Sequence, residues 1–388
     1  MTTKEVVEMP WKDKTVEEQR REFVEAAKAS GNFSRVCREF GISRKTGYKW
    51  LERSERDEQL TDRSRVPRNT PGRLPIELEK AILEVRAQNP EWGAKKILRI
   101  LENRGVRDLP CVRTVNNVLQ RYGCISPEES DKRKPYIRFQ RERCNELWQM
   151  DFKGDFALGN GERCYPLDII DDCSRYCLRA EGKPNLLGTM QSLEATMREF
   201  GRPQAILSDN GAQFAGFRGG YTQLERWLMD LDVLPIHGRI MHPQTQGKVE
   251  RFHRSMKAEL LKHSNFFDIS EAVAGLEEWR VKYNEIRPHQ ALGMRCPAEI
   301  YVPSSRPFLE QVLPYEYSGI FPLVKVNSWG YLRFDRFRIY LSETMADIRL
   351  EVRPIEGDRF IVCYRNFQIA EIDAATGERL NRRIYRLT

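Results

Sequence analysis

Apolar positions recur every three and four residues through the first third of the chain, which predicts two groups of three helices. In the first group a helix over 17–29 turns Phe23, Val24 and Ala27 inward. A second, over 33–40, ends on Gly41 as a left-handed cap, and a third runs from Ser43, an N-cap, to Arg53 around Trp50. A Pro- and Arg-containing linker over 57–75 separates them from the second group. There, helices over 76–88, 93–104 and 112–122 bring Ile82, Val85, Ile97, Leu98 and Leu101 to one core.

From residue 146 the period changes. Strands are predicted over 146–153, 164–171 and 176–180, with a turn at 159–161. A helix over 186–200, a strand at 205–207, a helix over 221–230 and a short strand near 233–236 follow. A helix opening near Thr245 then places Val249, Phe252, Met256 and Leu260 on one face, and a last helix covers 270–283. Three adjacent strands followed by alternating helices and strands imply a mixed sheet with helices on its faces. After Pro307 the pattern turns to short strands over 320–326, 331–334, 337–341, 348–354, 359–365 and 367–372. Turns at 328–330 and 356–358 separate some of them, and the whole reads as a small β-barrel. The expected organisation is therefore multidomain: all-α modules at 15–56 and 74–125, a basic linker at 126–143, an α/β core at 144–301 and a β domain at 308–388.

Charge sharpens this division. The 388 residues carry a net +8. Residues 1–143 hold 32 Lys and Arg against 23 Asp and Glu, and the remainder 32 against 33, so the whole excess is N-terminal. A polyanion partner is thus expected mainly at the helical modules. Nine cysteines without a C-x-x-C pair and no signal peptide suit a reducing cytoplasm, and no apolar run is long enough to span a membrane. Cys173 and Cys177 are the closest pair and read as small buried thiols.

Candidate chemistry lies in the core. Asp151 interrupts the apolar strand Leu147-Trp148-Met150, where a charge is costly unless compensated. Asp209 follows the strand Ala205-Ile206-Leu207 at an Asn-Gly turn, the tip of the sheet where α/β folds place ligands. Glu250 shares the polar face of its helix with Gln246, His253 and Lys257, with Arg254 alongside. Acids on two strands and one helix, converging through the fold, suit two Mg²⁺ ions in phosphodiester chemistry.

The segments WQMD, SDNGAQF and HPQTQGKVERFHRSMK, in this order, resemble the catalytic core of retroviral integrases and related bacterial insertion-sequence transposases. YNEIRPHQALGMRCPAEIY resembles the segment closing that core in the bacterial branch, so the likeness covers residues 144–301. It implies a ribonuclease H-like fold with an Asp, Asp, Glu triad, matched by Asp151, Asp209 and Glu250. About 40 residues separate the last two, against roughly 35 in the family pattern, and the Gly-rich run at 216–222 is the expected place for the surplus. Among DIIDDCSRY, the acids Asp168, Asp171 and Asp172 are read as structural, with Asp and Ser closing a hairpin and Arg175 pairing locally; Asp155 is a weaker rival to Asp151.

FSRVCREFGISRKTGYKWL resembles the helix-turn-helix unit common in transposases and repressors, with Arg44, Lys45, Tyr48 and Lys49 facing DNA. TVNNVLQRYG resembles a second such unit or a winged helix, bearing Arg113, Asn116, Asn117, Gln120 and Arg121; a structural helical spacer is the competing reading. DKRKPYIRFQRER, with Tyr136 and Phe139 interleaved, is expected along a phosphate backbone. Arg254 and Lys257 are expected to clamp phosphates near the scissile bond, a solvated helix face being the competing reading, and Gln246 and Asn210 to position DNA or metal-bound water.

The resemblance implies a metal-dependent DNA transposase that binds terminal inverted repeats, cleaves the ends to 3′-OH and joins them to target DNA. Its cofactor would be two Mg²⁺ per site, or Mn²⁺. Its partners would be double-stranded DNA and at least a second copy of the chain, with an accessory transposition protein left open, and its location the bacterial cytoplasm, associated with the nucleoid. The alternative is a helix-turn-helix regulator with an inactive integrase-like core, indifferent to Mg²⁺.

Overall fold

The computed structural model describes residues 15–56, 58–62, 74–125, 140–152, 154–181, 186–208, 220–237, 247–335, 337–381 and 383–387. Two compact units divide the chain, Met1–Arg73 and Leu74–Thr388.

In the first unit, α1 (Val16–Ala29), α2 (Phe33–Glu39) and α3 (Arg44–Glu55) pack around Phe23, Val24, Val36, Cys37 and Trp50. Each start is capped by a side chain: Thr15 and Glu18 form a reciprocal capping box, Asn32 accepts from the Arg35 amide, and Ser43 accepts from the Thr46 amide at 3.1 Å. Gly41 turns the chain between α2 and α3 at φ +65°, a backbone conformation that side chains resist. Gly47 sits inside α3 because a Cβ there would fall 2.8–2.9 Å from Cys37 Sγ, Phe23 and Phe33; the missing side chain lets α3 approach both neighbours.

The second unit opens with α4 (Ile76–Gln88), α5 (Ala94–Asn103) and α6 (Val112–Arg121), which bury Ile82, Val85, Trp92, Ile97, Leu101, Val115 and Leu119. This group is fastened to the region that follows. Lys96 of α5 stands 3.6 Å from Glu259, which also accepts from Arg287 at 2.8 Å, and Arg287 donates to Ser255. Trp92 is buried, with the ammonium groups of Lys96 and Lys282 5.5 and 5.6 Å from its ring.

The core sheet consists of β1 (Trp148–Phe152), β4 (Leu167–Asp171), β5 (Cys177–Ala180), β6 (Ala205–Ser208) and β7 (Leu234–His237), in the order β5-β4-β1-β6-β7. The first three strands are antiparallel; β6 runs parallel to β1, and β7 parallel to β6. A small hairpin, β2 (Phe156–Ala157) and β3 (Arg163–Cys164), precedes β4. The single strand expected over 164–171 is broken at Pro166, which has no amide hydrogen for a ladder bond. Alternation along β1 and β4 sends Trp148, Met150, Leu167 and Ile169 to a cluster with α7 (Leu186–Phe200) and α8 (Gln223–Asp230). Ile170 faces the other way, into a cluster with Val249, Phe252 and Met256 of α9 (Gly247–Met256) and Leu276 and Trp279 of α10 (Ile269–Val281). Both α9 and α10 continue into a wider π-turn, over Lys257–Leu261 and Lys282–Ile286.

The C-terminal strands β8 (Leu323–Lys325), β11 (Arg349–Ile355), β12 (Arg359–Tyr364), β13 (Phe367–Asp373), β14 (Arg379–Asn381) and β15 (Tyr385–Arg386) form one sheet, and β9 (Tyr331–Phe334) with β10 (Phe337–Tyr340) a hairpin. The expected small β-barrel is corrected here: among the described residues the strand order runs open from β8 to β14, with β15 on β13, and does not close. The physical reason is that the hairpin joins the sheet through one bridge, Val326 to Leu332, and otherwise packs onto it through Leu332, Phe337 and Ile339. That apolar layer also takes in Tyr221 and Met229, and Tyr364 and Arg365 both donate to Asp230 of α8. The β region thus shares its core with the flank of the core sheet.

Candidate active site

Asp151 lies near the end of β1, half-buried, on the sheet face turned toward α9. Directly opposite, in the antiparallel register of β1 and β4, stands Asp168, which is fully buried. Glu250 is exposed in the first turn of α9, one turn before His253 on the same face. His253 joins the elements: its Nδ1 lies 4.0 Å from Asp151 Oδ2 and its Nε2 2.7 Å from Asp168 Oδ2. Helix and strand therefore meet at the acids. Asp209, Asn210 and Gln246 lie outside the described residues, as do Tyr136, Phe139 and most of the Gly-rich loop. Ser208, the residue before Asp209, is described: its hydroxyl lies 3.3 Å from His237 Nδ1, and His237 Nε2 is 2.8 Å from Glu225.

The acids one step along the chain behave differently. Asp171 accepts from the Asn145 amide on one oxygen and from the Ser174 amide and hydroxyl on the other, each at 2.7–2.8 Å. Asp172 accepts from Gln149, the Arg141 amide and Lys248, while Arg175 donates to the Asp172 carbonyl and to Gln140. The hairpin reading of Asp171, Ser174 and Arg175 agrees with these bonds. Lys248 is in the first turn of α9, so this network also fixes where Glu250 starts. Burial, and the nearby Arg175 charge, push Lys248 down to about 8. Asp155 pairs with Arg163 on the β2–β3 hairpin.

Cys144, Asp171 and Cys173 bring ligand atoms within 4.8 Å of one another. They do not suit a metal: both Asp171 oxygens are engaged, and burial raises both thiols, Cys173 to about 11, against the thiolate that a soft ion needs. Asp151 and Glu250 offer the opposite chemistry, hard carboxylate oxygens on separate elements, the end of the central strand β1 and the first turn of α9. That donor set fits Mg²⁺ or Mn²⁺.

On the expected DNA faces, Arg44, Lys45, Tyr48 and Lys49 are exposed on α3, with Tyr48 stacked on Phe33 at 4.3 Å. Arg113, Asn116, Asn117 and Gln120 are exposed on α6. Arg121 is committed to buried Glu79 at 2.5 Å, an attachment that holds α6 to α4. Arg254 is exposed on α9, and Lys257 is exposed as the first residue of the π-turn. The sequence reading places His253 on the polar face of the Glu250 helix and groups Asp168 with the structural acids Asp171 and Asp172; it does not join the two to each other or to Asp151. The available signals are a histidine three residues after Glu250 and an acid three residues before Asp171, on the opposite face of the strand by alternation.

With this geometry in place, comparison with known proteins is direct. Residues 141–243 and 231–297 each match a family described as an integrase core domain, residues 19–68 a helix-turn-helix domain, and residues 46–119 a homeodomain-like domain. Helix-turn-helix matches thus precede a region that matches the integrase core, and over that region the chain is similar to transposases and other proteins of bacterial insertion elements.

Among individual relatives, it is 29% identical over 157 residues to a protein of insertion element IS407 from Burkholderia multivorans, covering 40% of this chain and 54% of that protein. It is 28% identical over 220 residues to the transposase InsD of insertion element IS2D from Escherichia coli, covering 54% of this chain and 66% of that one. The chain thus spans about half the length of the first of these relatives. A solved HTLV-2 integrase catalytic core domain in complex with magnesium is 15% identical, with a TM-score of 0.33, covering 41% of this chain and 97% of that one. Among the described residues no helix is long and apolar enough to cross a membrane.

Proposed function

We propose that the protein is a DNA transposase that binds the terminal inverted repeats of its element, cuts their ends to 3′-OH and joins them to target DNA. The observation that carries this reading is the meeting of Asp151 on β1 with α9, which bears Glu250, inside an integrase core. Asp151, Asp209 and Glu250 would hold two Mg²⁺ or Mn²⁺ ions, which when bound supply an activated attacking oxygen and charge neutralisation at the phosphate.

The chain's own residues do the rest. The β1 strand and the Lys248–Asp172 anchor fix Asp151 and the start of α9, so the acids need little reorganisation when DNA arrives. Arg254 and Lys257, exposed beyond Glu250, clamp phosphates beside the scissile bond, and Gln246 and Asn210 orient the strand. In-line attack by water in the first step, and by the freed 3′-OH in the second, uses one site twice without a covalent protein intermediate. Arg44, Lys45, Tyr48 and Lys49 read or grip one DNA segment, Arg113 and Asn117 another, and two linked modules raise affinity through effective concentration. Arg121 acts through its hold on Glu79. Cutting and joining two ends together calls for at least a dimer on DNA.

The test is incubation of the protein with a labelled donor end, a plasmid target and Mg²⁺. Joined products are expected, and they should vanish in Glu250→Gln while DNA binding persists. Cleavage without joining would reduce the protein to a nuclease. Binding indifferent to Mg²⁺, with no cleavage, would leave a DNA-binding regulator with an inactive core.

A further inference from the structure

We propose that Asp168 and His253 are a positioning pair that holds Asp151 at the correct place relative to Glu250. The inference rests on the reading of Asp151 as a metal-holding acid. It starts from an awkward arrangement: two carboxylates directly opposite each other across β1 and β4, on the same face, with Asp168 fully buried. Like charges so placed destabilise a sheet, so the arrangement needs a reason.

What lies against them is the His253 ring, mostly buried at 13% side-chain exposure. One nitrogen is 2.7 Å from Asp168 and the other faces Asp151 at 4.0 Å. The Asp168 charge is felt by its neighbours: the thiols of Cys164 and Cys177 are raised by burial and then by that charge. The acid therefore has a strong electrostatic reason to orient the imidazole, and the oriented imidazole limits where Asp151 can go. His253 is also one turn from Glu250 on α9. A single contact thus sets the spacing between the strand acid and the helix acid. Neither Asp168 nor His253 needs to touch DNA or the reacting phosphate for this to work.

The experiment measures four quantities on the full chain: cleavage rate of a labelled donor end, the Mg²⁺ concentration giving half-maximal cleavage, the Tm shift on adding Mg²⁺ or Mn²⁺ without DNA, and DNA affinity in EDTA. Asp168→Asn and His253→Gln are the variants; the second retains a donor toward Asp168 but not a nitrogen toward Asp151. Both should lose about tenfold to a hundredfold in cleavage, require about tenfold more Mg²⁺ and show a smaller metal-induced Tm shift. DNA affinity in EDTA should stay at the wild-type value.

Variants with the wild-type metal requirement and metal-induced Tm shift overturn the pair, and so does a fall in metal-free Tm alone. If Asp168→Asn does not fold, His253→Gln, altered at a less buried position, decides. A wild-type chain that shows neither metal-dependent cleavage nor a metal-induced shift would instead remove the functional reading, and the pair with it.

Discussion

Two groups of aspartates meet at β4, one at its end and the turn beyond and one across the β1–β4 register, and they are opposites. Asp171 and Asp172, at the turn, are surrounded by donors from four separate segments: the Asn145 amide, Ser174, Gln149 and Lys248. Asp168, three residues earlier, shares its face with Asp151 and meets α9 through His253. Residue type is the same, and Asp168 and Asp171 even share a strand. The difference is direction, since alternation and the turn decide whether a carboxylate enters a closed hydrogen-bond network or the sheet face that meets α9. A saturated acid holds the fold; on the proposed reading, the facing pair serves the site, Asp151 as a metal-holding acid and Asp168 by positioning it.

The sharpest way to break this comparison is to neutralise one member of each group. Asp151→Asn should reduce donor-end cleavage by roughly a thousandfold or more, equivalent to about 4 kcal/mol of barrier, with a metal-free Tm at or above wild type because one of two opposed charges is gone. Asp172→Asn should do the reverse. Breaking its buried pair with Lys248 leaves an uncompensated ammonium and should cost about 3–5 kcal/mol of stability, read in urea unfolding. Any loss of cleavage should then follow the unfolded fraction. If Asp172→Asn keeps full stability and loses cleavage, the division between the groups fails.

Much of this architecture was legible from periodicity. The helices now labelled α1 to α10 and the sheet strands fall where three-to-four and alternating spacings place them, because an amphipathic pattern has one way to bury itself. The inward residues of α9, Val249, Phe252 and Met256, are buried as their spacing demands. Other features were not legible for identifiable reasons. β14 and β15 are two or three residues long and rich in Arg, too short for alternation to register. The π-turns after α9 and α10 depend on tertiary packing, which no local pattern records. Barrel closure depends on edge pairing, and the β9–β10 hairpin pairs through a single bridge instead. Asp168 was grouped with Asp171 and Asp172 because adjacency in sequence hid the register that sets it opposite Asp151.

The comparison extends to a smaller effect at Lys96, another buried charge with an acidic neighbour. Burial first, and then the Arg287 charge, push Lys96 down to about 7, although Glu259 pulls the other way. The unfolded chain, with an ordinary lysine near 10.5, binds more protons than the folded one between pH 7 and 10. Stability should therefore rise with pH across that window, by an amount on the order of a few kcal/mol, and this group should contribute no slope below about pH 6. Lys96→Met should flatten the dependence and stabilise the protein most at pH 6–7, as urea unfolding across pH would show. An unchanged slope would mean that Lys96 is solvated and that α5 does not rest on Glu259 as described.

The smallest expected effect isolates a local cause in the first unit. Ser43 accepts from the Thr46 amide at 3.1 Å, satisfying one of the free donors at the start of α3. Ser43→Ala should cost residues 15–62 about 1 kcal/mol, whereas Ser43→Asp should retain the cap and add a favourable charge at the helix N-terminus. Because α3 carries Arg44, Lys45, Tyr48 and Lys49 immediately after the cap, the alanine variant should also weaken DNA binding. The aspartate variant separates the two causes: it restores helix stability but introduces a negative charge beside the DNA face. Full stability with weakened, strongly salt-dependent binding would assign that face to phosphate contact, and binding equal to wild type would move the DNA surface away from the start of α3.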